Sequence, residues 1–152
     1  MKKTLCIIVP LLTFALGSGG GYCLGYYQSL HTREAKAFSI REITLPVSAE
    51  DYEPVWSGAL AEHIGGEPEF VLRDRSRVDV LTEKWAIEVD WLAGGKWHQG
   101  IGQALHYAEL SGKSPVLAIG IKSKDYDEEE LLLATKVATG VGIAVWVLRA
   151  ED

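Results

Sequence analysis

The sequence predicts an α/β domain, a mixed β-sheet flanked by helices, preceded by an N-terminal apolar segment. Three observations carry this expectation. Between residues 55 and 148 the apolar pattern alternates between helical spacing and strand-length runs in the order α, β, β, β, α, β, α, β. The first three strand-like runs are joined by short polar turns, which suit an antiparallel meander, whereas the later runs are joined by helices, which suit parallel crossovers. About 120 residues follow the apolar start, enough for one domain with its own core.

The elements follow in order. In "VWSGALAEHI", residues 55–64, Trp56, Ala59, Leu60 and Ile64 recur near helical spacing, and Gly65-Gly66 stops the helix. "EFVLRD", "RVDVLT" and "WAIEVDW" read as three short strands, with Glu83 and Lys84 in the second turn. In "KWHQGIGQALHYAELSGK" a stripe of Trp97, Ile101, Leu105, Ala108 and Leu110 predicts a helix that ends at Gly112. "SPVLAIGI" is a continuous apolar run of strand length. "DYDEEELLLATKVATG" opens on acids and closes on Gly140, as a helix complemented to its dipole does. "IAVWVL" is a last buried strand. Residues 29–54 show no sustained period beyond one short strand at Ile40 to Leu45, so they read as a linker punctuated by Pro46 and Pro54. The chain thus divides into an apolar segment (1–28), a linker (29–54) and a folded domain (55–152).

Two readings of the apolar segment stand side by side. Lys2 and Lys3, the stretch Leu5 to Ala15 and the small residues after it match a secretory signal. Residues 4–27 also reach across about 30 Å of hydrocarbon as a helix, with Tyr22, Tyr26 and Tyr27 suited to a membrane interface. Either places the domain at a membrane or on the exported side. Both cysteines, Cys6 and Cys23, lie in this segment, so the domain has no internal disulfide, thiol nucleophile or cysteine metal site.

Charge is unevenly placed. Beyond residue 27 the chain carries 13 Lys and Arg against 21 Asp and Glu, a formal charge of −8. That argues against a simple basic coat for nucleic acid. A nucleic-acid enzyme remains compatible with it, since bound cations neutralise an acidic pocket.

The chemistry concentrates in "RVDVLTEKWAIEVDW", Arg77 to Trp91, where Asp79, Glu88 and Asp90 sit among strand-forming apolar residues. Alternation puts Glu88 and Asp90 on one strand face and Ile87, Val89 and Trp91 on the other. A hairpin brings Asp79 beside Glu88. Two carboxylates at close range repel unless a cation lies between them, and an oxygen-rich site of this kind suits Mg²⁺ or Mn²⁺. Simpler readings stand beside this one. Asp79 pairs with Arg75 or Arg77, Glu88 and Asp90 face solvent on an edge strand, and Gln103 and Tyr107 are an ordinary helical i,i+4 contact.

Asp79, Glu88 on the next strand, and a following helix carrying Gln103-Ala-Leu-His-Tyr107 together resemble the PD-(D/E)XK, or restriction-endonuclease-like, nuclease superfamily, and the Q-x-x-x-Y helix is similar to its RecB-like branch. The likeness spans Trp56 to Leu148. It implies an αβββαβ core and metal-dependent hydrolysis of phosphodiester bonds in DNA or RNA. It implies Asp79 and Glu88 as metal ligands, Glu62 on the preceding helix as an auxiliary ligand, and Gln103 and Tyr107 as groups that position substrate or water. The chain departs from the pattern at Asp90, where the superfamily has lysine. Lys96, at the start of the following helix, is the expected substitute ammonium, with Lys84 less well placed in the turn. The alternative expectation is a catalytically inactive interaction module of the same fold, tethered to a membrane.

Overall fold

The computed structural model describes residues 40–123 and 126–151. The apolar segment 1–28 lies outside the described residues. Among the described residues no helix is long and apolar enough to cross a membrane.

Six strands form one mixed sheet: β1 (Arg41–Leu45), β2 (Glu67–Val71), β3 (Arg77–Leu81), β4 (Trp85–Trp91), β5 (Ser114–Ile121) and β6 (Ala144–Ala150), in spatial order β1-β6-β5-β4-β3-β2. Helices α1 (Glu53–Ile64), α2 (Trp97–Ser111) and α3 (Glu128–Gly140) connect them. The short turns leave β2, β3 and β4 antiparallel, while the crossovers through α2 and α3 make β4, β5 and β6 parallel. The expected mixed sheet flanked by helices is therefore present, with both pairing modes. The short strand expected at Ile40 to Leu45 is β1, and it belongs to the sheet as an edge strand, pairing in parallel with β6 over Arg41↔Trp146 to Leu45↔Ala150.

Helices cover both faces. Trp56, Leu60 and Ala61 of α1 pack with Val80, Ile87, Val89, Val116 and Leu148 in one core. Trp97 and Ala104 of α2 join Ala134 and Ala138 of α3 over Leu117, Ile119 and Val147 in another. Each fully buried large apolar side chain contributes about 1.5–3 kcal/mol. Glycines stop the helices as expected: Gly65 and Gly112 are left-handed, at φ 72° and 70°. Asp127 caps α3, accepting hydrogen bonds from the N–H groups of Glu129 and Glu130.

The expected stripe of α2 holds for Trp97, which is buried, and for Ile101 and Leu110, which pack half-buried against the cores, but not for Leu105. Trp97, Gly100, Ala104 and Tyr107 are buried, and Leu105 is exposed. Small residues mark this face because the helix lies close to the sheet. A Cβ on Gly100 would stand 2.8 Å from Leu117 Cδ1 and 3.3 Å from Asp90 Oδ2, whereas one on Gly102 meets nothing within 4 Å. Alanine at the two positions is accordingly expected to act with opposite signs. Gly102→Ala stabilises by up to ~1 kcal/mol through helix propensity, and Gly100→Ala destabilises by about 1 kcal/mol because overpacking outweighs that gain. Urea midpoints of the two variants check this; two shifts in the same direction contradict the packing argument.

A candidate acidic site where two strands part

Asp79 lies where the sheet gives way on both sides. The β2–β3 ladder pairs Pro68 with Val80 and Phe70 with Val78 but skips Glu69 opposite Asp79, and Glu69 has a left-handed φ of 53°. The β3–β4 ladder runs through Leu81↔Ala86 and Val80↔Ile87 and goes no further. Beyond that point Val89 N–H donates to Asp79 Oδ2 at 2.6 Å. The carboxylate thus replaces the backbone acceptor that a continued ladder would have supplied. The break also separates two valines that alternation would put on one face. Val80 packs with α1, and Val78 packs with Tyr107 and Leu110 of α2.

Glu88 comes from β4, the strand between β3 and β5, and its side chain faces Asp79. The two carboxyls lie close enough for each to act on the other's proton affinity. Asp79, Glu88 and Asp90 are only 8%, 5% and 7% exposed, which disposes of the solvent-facing reading of Glu88 and Asp90. Arg77 does not pair with Asp79; its guanidinium meets Glu69 at 2.9 Å. Glu88 Oε2 is buried without a hydrogen-bond partner.

The pair opens onto a cavity of about 610 Å³ lined by Glu53, Glu69, Arg77, Asp79, Glu88, Gln103 and Tyr107, among others. Its walls are the N-terminus of α1, the β2–β3 hairpin and α2. Gln103 Nε2 donates to Tyr107 Oη at 3.3 Å, so the i,i+4 contact exists and both side chains face the acids.

Electrostatics follow from this crowding. Burial raises the Asp79 carboxyl, although the Val89 N–H opposes that, and the charge of Glu53 raises it further. Burial also raises Glu88, and the charges of Asp79 and Asp90 push the same way. Both groups therefore hold their protons to higher pH than free carboxyls do. Asp90 is raised by burial, against the backbone N–H of Trp91 and the positive charge of Lys96. Burial raises Tyr107 too, and Gln103 partly offsets it.

Not every expected residue is part of this group. Glu62 is exposed near the C-terminal end of α1 and does not border the cavity. It lies nine positions along the helix from Glu53, about 13 Å along the axis. Glu53, in the first turn of α1, borders the cavity instead, and burial followed by the charge of Asp90 raises its carboxyl. Glu53 was missed because it precedes Pro54 and read as linker; an acid beside proline at a helix start is the signal that marks it. Lys96 is exposed and borders no part of the cavity, yet its charge acts on both Asp90 and Glu53. Lys84 lies over the Trp85 ring, at the opposite end of β4 from Asp90.

Among the described residues no set of three or more His, Cys, Asp or Glu side chains is arranged to hold a metal ion. The donors that converge are a carboxylate pair. Mg²⁺ is commonly held by one or two carboxylates, with waters and substrate phosphates completing its shell. An all-oxygen pair with one buried, unpartnered Oε2 fits that mode.

No family model, no curated protein and no solved structure matches this chain.

Proposed function

We propose that the domain is a restriction-endonuclease-like hydrolase that cuts phosphodiester bonds of DNA or RNA with Mg²⁺ or Mn²⁺. One observation carries the reading: Asp79 and Glu88, from adjacent strands, converge on one cavity at the point where their ladder ends, and one buried carboxylate oxygen lacks a partner. The apolar segment 1–28 would hold the domain at a membrane or direct its export.

Asp79 and Glu88 would hold the cation, with Glu53 as the auxiliary acid in the position first assigned to Glu62. When bound, the cation supplies Lewis acidity toward the phosphate and acidifies water. The chain's own residues do the rest. The Val89 N–H fixes the Asp79 carboxylate by its 2.6 Å hydrogen bond. Gln103 and Tyr107 present an amide and a phenol to substrate at the cavity wall. Lys96 brings positive charge to the Asp90 side of the acids, where it would offset charge developing on the phosphate.

The test is hydrolysis of labelled single- and double-stranded DNA and RNA by the full chain with Mg²⁺ or Mn²⁺. Asp79→Asn keeps an acceptor for Val89 N–H and is expected to lose hydrolysis while unfolding as cooperatively as the wild type. Alanine is the weaker choice here, because an orphaned buried N–H costs about 1–3 kcal/mol. Cleavage that persists unchanged in Asp79→Asn overturns the assignment.

A second reading has an observation of its own. Arg77 is the one cation bordering the cavity among the described residues, and it is paired to Glu69. An inactive interaction module of the same fold needs no ammonium there. Calorimetry with Mg²⁺ or Mn²⁺ separates the two, since such a module binds neither ion at the acids.

A further inference from the structure

The hairpin that joins β2 to β3 turns tightly through Leu72–Ser76. Leu72 N–H donates to Ser76 O at 2.8 Å, and Arg75 N–H donates to Leu72 O at 2.9 Å. This is the pattern of a three-residue loop whose last residue is left-handed, a position where glycine is the usual occupant. Here that residue is Arg75, at φ 72°. Any Cβ is disfavoured there, by about 1 kcal/mol. The chain carries an arginine at a place where folding alone favours glycine.

The tip is held in place. The Asp74 carboxylate accepts from Ser76 N–H at 3.0 Å and from Ser76 Oγ at 2.6 Å. Its other oxygen meets His106 Nε2 of α2 at 2.7 Å. His106 adjoins Tyr107, so the tip is fastened to the helix that forms one wall of the acidic cavity. Arg73 and Arg75 are exposed, and among the described residues neither makes an ion pair. Two residues on, Arg77 borders the cavity itself. Three arginines thus fall within five residues of a hairpin whose Ser76 and Arg77 border the acidic cavity, in a chain of net charge −6. A net-negative chain repels a polyanion, and exposed arginines at the hairpin tip offer it local attraction.

We infer that the tip of the β2–β3 hairpin is a contact for the phosphate backbone of a nucleic acid, held by Arg73 and Arg75 and led toward the cavity past Arg77. This rests on the nuclease reading above. The arginines carry no base specificity; guanidinium groups fit phosphate in a two-pronged manner and set position along the strand.

The experiment measures binding of the full chain to fluorescent single-stranded and duplex oligonucleotides by anisotropy, across a salt series, with Ca²⁺ as the divalent ion. Arg75→Gly is expected to weaken binding about fivefold at moderate salt and to flatten the slope of log K against log[salt] by about 0.7–0.9, one phosphate's worth. Its thermal midpoint stays level or rises, because glycine suits the left-handed position. Arg73→Gln behaves alike in binding. Lys136→Gln, which removes the same charge from α3, leaves binding unchanged. Unaltered binding in both arginine variants overturns the inference, as does an equal loss in Lys136→Gln, which reduces the effect to net charge. If the arginine variants bind normally while only Asp79→Asn loses cleavage, the hairpin contact falls and the nuclease reading stands. A wild type that neither binds nor cleaves removes both.

Discussion

Glu88→Gln is expected to abolish Mg²⁺-dependent hydrolysis, by about a thousandfold or more, while making the metal-free protein more stable at pH 8. A thousandfold corresponds to about 4 kcal/mol of transition-state stabilisation, in the range for losing a charged group at the reacting centre. The second effect has the opposite sign because the same carboxylate burdens the fold. It is buried, faces Asp79, feels Asp90, and leaves one oxygen without a partner. Glutamine preserves the shape, carries no charge and gives Asp79 a donor. The expected gain at pH 8 is about 2 kcal/mol, read from urea denaturation in EDTA. A residue that served the fold alone would not lose activity and gain stability together. Hydrolysis within about tenfold of wild type, or a clear loss of metal-free stability, contradicts the role given to Glu88.

The metal-free protein is expected to lose about 2–4 kcal/mol of stability between pH 5 and pH 8, and millimolar Mg²⁺ is expected to restore part of it. The sign follows from linkage. Burial raises Asp79 and Glu88 above their usual values, and their mutual repulsion adds to the shift of Glu88. Between the ordinary carboxylate range and those raised values, the folded chain binds more protons than the unfolded one. Stability then falls with rising pH, by about 1.4 kcal/mol per pH unit for each group still titrating. A cation that binds only the folded, ionised pair reverses the trend by mass action. Denaturation midpoints at several pH values, with EDTA and with Mg²⁺, measure both effects. In Glu88→Gln the pH slope shrinks. A metal-free stability that is flat or rises over this interval would show that the pair is not the strained, proton-holding site described above.

Much of the fold is legible in the residues themselves. The strands of "RVDVLT" and "WAIEVDW", the tight turn between them and the helix that ends at Gly112 follow from period, turn chemistry and capping. The turn is closed by Thr82, whose Oγ1 accepts from Trp85 N–H at 2.8 Å. Even the pairing of Asp79 with Glu88 follows from counting across a hairpin. Failures of the sequence reading arose where packing decides. The apolar stripe of α2 pointed to Leu105, whereas the helix buries Gly100 and Ala104, because close approach to the sheet selects small side chains over greasy ones. The resemblance implies Glu62 as the acid of α1, whereas the helix begins two residues earlier than its apolar pattern shows, at Glu53, and that end borders the cavity.

By itself the sequence determined the local elements, the two modes of strand pairing and the coming together of two acids on neighbouring strands, since these depend on interactions a few residues long. Only the tertiary structure decided which end of α1 meets those acids, that β3 breaks its alternation at Asp79, and that an arginine occupies a glycine's place in the β2–β3 turn. Each of these depends on distances between segments far apart in the chain. They are set when helices settle on both faces of one sheet and each buried polar group finds a partner or goes without.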